Sequence, residues 1–129
     1  MKNHPYSVYR DRMQLYLNVI RLAYGFNTVD FAYLIDHSFT SIIRYENYKN
    51  KMPTDVYIAF TYVLAQINEP DAKAIVDILV YRDDVTEEER ADLYRVLDEA
   101  KYNCGEHNRA ETYQEAMLEA YRKWKKKAA

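Results

Sequence analysis

Cys104 and His107, three positions apart, have the gap of a metal-ligating pair, but one cysteine and one nearby histidine fall short of the four ligands of a structural zinc site. No metal is expected. Glu87, Glu88 and Glu89 place three carboxylates in a row, which the partial positive charge at a helix start also favours. Thr86 and Glu89 form a capping box at that point, so the acidic run reads as structural. Arg122, Lys123 and Lys125 to Lys127 make a basic end that could grip phosphates, but cations equally suit the C-terminus of a helix. The chain has no nucleophile elbow, no glycine-rich phosphate loop and no zinc-protease motif. Neither enzymatic activity nor a cofactor is therefore expected.

Helices are the elements available to position any site. Two glycines and three prolines in 129 residues leave little material for hairpins or linkers, and 49% apolar residues are enough to close one core. Eighteen lysines and arginines against 20 aspartates and glutamates give a net charge of -2, so any surface for nucleic acid must be local. The first 65 residues carry seven cations and five carboxylates, which places the mild positive excess there. A single cysteine excludes an intrachain disulfide and fits a reducing compartment. Met1 to Pro5 is too polar for a secretory leader, and the longest nearly apolar run, Tyr57 to Ala65, is far short of the roughly 20 residues of a membrane helix. A cytoplasmic protein without a membrane partner is expected. Fourteen tyrosines suit core margins and contact surfaces.

The apolar periodicity predicts seven helices. Met13, Tyr16, Leu17, Ile20 and Tyr24 form the face of the first, which Gly25 stops. Asn27 caps a short second helix that buries Phe31, Leu34 and Ile35, and Ser38 caps a third that turns Ile42 and Tyr45 inward. Thr54 is read as the cap of a fourth helix that is apolar nearly all round, and Pro70 opens a fifth carrying Ala72, Ile75, Val76, Ile78 and Leu79. Leu93, Val96, Leu97 and Ala100 drive the sixth. A last helix from about Asn108 aligns Tyr113, Met117, Ala120, Tyr121 and Trp124.

The second and third helices are joined by the very short Asp36-His37 turn, with small Ala32 at their crossing and Asp36 where a left-handed backbone is needed. Over residues 12-66 the chain resembles the Cro and phage-repressor (XRE-like) helix-turn-helix family. The resemblance lies in Leu17 to Arg21 followed by Gly25, in Phe31 to Ile35, and in Ile42-Ile43-Arg44-Tyr45-Glu46-Asn47 followed by Lys49, Lys51 and Pro53. Thr28 stands where the family usually has a glutamine that holds a phosphate, Asp36 where it has the turn glycine, and His37 where it prefers an aliphatic residue.

The resemblance implies a phage-repressor-like, five-helix helix-turn-helix domain, placed over residues 1-82; the last two helices, read from their own apolar stripes and outside the resemblance, add a C-terminal helical hairpin over 83-129, so that an all-α fold is expected. The resemblance also implies an ion pair between Arg21 and Glu46 that fixes the first helix against the third. The third helix would enter the major groove of double-stranded DNA, with Phe39, Thr40, Ile43 and Arg44 against base edges. Thr28, Ser38, Asn47, Lys49 and Lys51 would contact phosphates. The expected function is a sequence-specific, repressor-like transcriptional regulator. That reading element is apolar for a DNA reader, so the rival expectation is a protein-interaction module on the same scaffold, such as an antitoxin or a mobile-element inhibitor of a host protein. Apolar stripes on the last two helices, together with two-fold operators, suggest a homodimer anchored by Tyr113, Met117, Tyr121 and Trp124.

Overall fold

Apolar residues recurring every three or four positions fold 74% of the chain into helix, with no strand among the described residues. The computed structural model describes residues 5-128. Met1 to His4, part of the start judged too polar for a leader, lie outside them. The helices are α1 (Pro5–Leu15), α2 (Leu17–Ala23), α3 (Thr28–Leu34), α4 (Phe39–Glu46), α5 (Thr54–Ala65), α6 (Pro70–Val76), α7 (Glu87–Asn103) and α8 (Ala110–Ala128). The first predicted helix is thus two, parted at Tyr16, whose φ of -110° and ψ of 16° leave the helical region.

Three successive helices end in the same way. After α2, α3 and α4 the chain turns left-handed at Gly25 (φ 86°), Asp36 (φ 56°) and Tyr48 (φ 59°). The next amide then reaches back to close the helix: Phe26 to the Arg21 carbonyl at 3.2 Å, His37 to that of Ala32 at 2.9 Å, and Lys49 to that of Arg44 at 2.9 Å. Only the first of these ends has the glycine that such a turn favours. At Gly25 the requirement is double, because a Cβ there would lie 2.9 Å from Gln114 Oε1, on a side chain whose Nε2 donates to the Ala23 carbonyl.

Phe31 of α3 and Phe60 of α5 stack at 4.7 Å near the middle of the core, an arrangement that contributes about 0.5–1.5 kcal/mol beyond burial. The N-terminus of α5 differs from the sequence reading. Pro53, fixed at φ -67°, precedes the helix, and the Thr54 hydroxyl accepts from Arg10 Nη1 at 2.9 Å instead of capping.

Helix α6 runs directly into a π-helical turn, Asp77–Tyr81. Periodicity cannot reveal such a widened turn, because its apolar residues Ile78, Leu79 and Val80 are buried as they would be in an α-helix. Two arginines satisfy the carbonyls around it. Arg12 Nη1 donates to Val80 O at 3.0 Å; Arg90 donates through Nε to Ile78 O at 3.2 Å and through Nη2 to Arg82 O. Arg90 is fully buried, and its charge is tolerated there because Nη1 also meets Glu87 at 2.6 Å.

The capping box of Thr86 and Glu89 starts α7, and α8 returns along it, lying also on α2 and α6. This packing corrects the predicted dimer anchors. Met117 and Tyr121 are buried within the chain, the Tyr113 hydroxyl donates to Gly105 O at 3.0 Å, and Trp124 Nε1 donates to Asp92 at 2.9 Å. Met117 and Tyr121 are thus covered by the chain's own helices and are not free for a second copy, whereas Tyr113 and Trp124 are half-buried. Met117, Leu118 and Tyr121 belong to the same buried cluster as Leu22, Phe31 and Ile42. Residues 83-129 thus contribute to the same buried cluster as residues 1-82.

Candidate nucleic-acid interface

Helix α4 forms where the sequence can cap it. The Ser38 hydroxyl accepts from the Ser41 amide at 3.1 Å, and its Oγ lies 2.9 Å from that of Ser41. Asn27 caps α3 likewise, accepting from the Asp30 amide at 2.7 Å. Ile42 and Tyr45 face the core, so Phe39, Thr40, Ile43, Arg44 and Asn47 share the outward face of α4. Thr40, Arg44 and Asn47 are exposed, Phe39 is 48% exposed and Ile43 is half-buried.

Two buried polar side chains hold this element in place. Arg21 clasps Glu46 with two hydrogen bonds, Nε to Oε2 at 3.0 Å and Nη2 to Oε1 at 3.1 Å, and Nη1 donates to Phe26 O at 2.7 Å. The same arginine therefore ties α2 to the end of α4 and to the approach to α3. Gln14 of α1 grips the segment after α4. Its Nε2 donates to Tyr45 O at 3.0 Å and Asn50 O at 2.8 Å, and its Oε1 accepts from the Met52 amide at 2.9 Å. Lys49 and Lys51 project from the segment so held, and both are exposed. The sequence reading missed Gln14. Its signal was a polar residue between Met13 and Leu17 on the apolar face of the first helix, three and seven positions before Leu17 and Arg21.

Arg44, Lys49 and Lys51 make no ion pair or side-chain hydrogen bond among the described residues. With the Thr40 hydroxyl and the Asn47 side-chain carboxamide they present a row of unengaged donors along one face, beside the apolar surfaces of Phe39 and Ile43. Such a set can hydrogen-bond acceptor-rich edges and phosphates. Thr28, at the first position of α3, is half-buried and shows no side-chain hydrogen bond among the described residues.

The surface around this row is not strongly basic. Between Gly25 and Asp55 the three cations stand with four carboxylates, Asp30, Asp36, Glu46 and Asp55, of which Glu46 is occupied by Arg21. The adjoining α3 exposes Val29, Tyr33 and Leu34, Tyr33 at 84%. That apolar patch was not foreseen from the sequence, where Leu34 reads as a core residue of the second helix.

The residues weighed for metal binding come to no cluster. Among the described residues no group of three or more His, Cys, Asp or Glu side chains is placed to hold a metal ion. Cys104 Sγ donates to Ala100 O at 3.3 Å. No described helix is long and apolar enough to cross a membrane. Compared with protein-family models, curated proteins and solved structures, the chain matches none.

Proposed function

We propose that the chain is a sequence-specific, DNA-binding transcriptional regulator in which α3 and α4 form a helix-turn-helix and α4 reads the major groove. The observation that carries this reading is α4 itself: fixed by Arg21 on Glu46, it turns the Thr40 and Arg44 side chains outward with no partner among the described residues. Arg44 suits a bidentate contact with guanine, Thr40 a hydrogen bond to either base of a pair, and Phe39 and Ile43 a thymine methyl. Lys49, Lys51 and Asn47, with Thr28 and Ser38 at the starts of α3 and α4, would set the register on phosphates. Repression then needs only occupancy of a promoter site. A two-fold operator would call for a dimer, built on a face that does not need the buried Met117 and Tyr121.

A second reading, a protein-interaction module on the same scaffold, is favoured by Val29, Tyr33, Leu34 and Phe39, which expose apolar surface beside α4. Salt separates the two. Binding of mixed-sequence duplex DNA should weaken steeply as salt rises, and Lys49→Ala or Lys51→Ala should each lower the slope of log K against log salt by about 1. An absence of duplex binding at low salt by the folded protein would leave the protein-interaction reading.

A further inference from the structure

A groove of about 840 Å³ runs along the α7–α8 hairpin, lined by these two helices and Thr86; among the described residues no other element reaches it. Val96, Ala120 and the half-buried ring of Trp124 supply its apolar floor. Glu88 and Asp92 stand along the α7 wall, and Lys123 and Lys127 along the α8 wall. Tyr102, seven positions after Arg95 on the same side of α7, is 83% exposed.

The two walls are opposite in charge, yet no ion pair joins them among the described residues. Arg95 is held on its own helix by Asp92 at 2.9 Å and Glu99 at 3.0 Å, and Lys123 by Glu119 at 3.3 Å. Glu88 and Lys127 have no ion-pair partner among the described residues. Exposed pairs within one helix hold weakly, so these side chains can turn to a new partner at little cost. Taken whole, α7 carries six carboxylates against three cations, and α8 three against five.

Charge and helix direction together select the occupant. When a second hairpin lies face down on the first, with the two-fold axis along the helices, α7 rests on the partner's α8 and runs antiparallel to it. The register is taken from the hairpin itself, in which Trp124 meets Asp92. Glu88 and Asp92 then come to the partner's Lys127 and the partner's Lys123, and Arg95 comes to the partner's Glu119. The two-fold axis repeats every pair. A two-fold axis across the helices would instead set acidic α7 on acidic α7. The 17 residues of α7 span about 25 Å and two helices side by side about 20 Å, so the copies bury on the order of 1,000 Å² together, the low end of specific interfaces.

We propose that this face binds a second copy of the chain, the two α7–α8 hairpins closing into a two-fold four-helix bundle. Met117 and Tyr121 stay buried in their own chain, and the open edge of Trp124 meets the partner. The proposal rests on the regulator reading for its purpose, one half-site per copy, but the association is measured without DNA. A monomeric chain that still selects one duplex motif through α4 would overturn the dimer and leave that reading standing.

Sedimentation equilibrium of the full chain at about 100 μM and low salt should give the mass of a dimer. Two double variants, each keeping the net charge of -2, test the pairing: Glu88→Lys with Arg95→Glu, and Glu119→Lys with Lys127→Glu. Each alone, shown by circular dichroism to be folded, should self-associate at least about tenfold more weakly, and an equimolar mixture should recover the dimer. Ala120→Glu, which sets a lone carboxylate on the groove floor, should also be monomeric. A monomeric native chain, undiminished association of the folded variants, or no recovery in the mixture would each overturn the proposal.

Discussion

Arg21 and Glu46, 25 positions apart, meet as a two-pronged ion pair that is almost withdrawn from solvent, with side-chain exposures of 9% and 12%. The pair joins α2 to the end of α4, and the third arm of the guanidinium reaches Phe26 O. Geometry and burial together decide its weight. Surface pairs contribute little, but removing one member of a buried, hydrogen-bonded pair leaves a charge without solvent or partner. Glu46→Ala is expected to lower stability by about 3 kcal/mol, and Arg21→Met by a similar amount. The double variant should lose much less than the sum, as chemical denaturation of all four proteins would show. Additive losses would mean that the two side chains act separately.

Gln14 is the second anchor of the same element. Replacement by Leu keeps the volume but removes partners from two carbonyls and one amide around the α4–α5 connection. The expected cost is about 2–3 kcal/mol. The Met52 amide, which donates to Gln14 in the native protein, should exchange its hydrogen faster in Gln14→Leu than in the parent. Unchanged exchange at Met52 would contradict the clamp.

Tyrosine burial sets the alkaline limit of the fold. The Tyr24 phenol is pushed up to about 12 from 10.0, chiefly by burial and then by Asp77 and Glu69, and Tyr81 is shifted in the same direction by burial and by its bond to Tyr57. Above pH 10 the unfolded chain releases these protons while the folded chain retains them, so the unfolded state binds fewer protons and stability falls as pH rises. Both contributions are full below about pH 10; that of Tyr24 is lost on the way to about pH 12, and that of Tyr81 goes on falling above it. Denaturation midpoints should therefore be level through neutral pH and decline across that window. Tyr24→Phe should remove part of the slope, about 2 kcal/mol at its end.

The all-helical class, most helix starts and the short α3–α4 turn were legible in the sequence because local chemistry specifies them. Asn27, Ser38 and Thr86 each cap the helix that their position announces. Asp36 adopts the left-handed backbone that its place in the turn requires. What the sequence withheld depends on contacts between distant segments. Met117 and Tyr121 look alike whether they meet a second copy or α2 and α6 of their own chain; only the fold shows the latter. Gln14 and Arg90 are polar residues in apolar register, and their partners are backbone carbonyls that no side-chain pattern announces. The widened turn at Asp77 has the same apolar spacing as an ordinary helix. The outward row on α4 was expected from the helix-turn-helix resemblance, whereas Ile42 and Tyr45, legible as core residues from their spacing, fix which face of that helix is hidden.

The central claim is that this outward row reads base pairs. Duplexes should be selected from a randomised pool at near-physiological salt by the native protein and, in parallel, by Arg44→Ala and Phe39→Ala, each shown to be folded. The account predicts one enriched motif with the native protein and its loss or relaxation with both variants, Arg44→Ala by about 1–3 kcal/mol at a guanine position. No enriched motif from the folded native protein, or the same motif selected by Arg44→Ala, would contradict it.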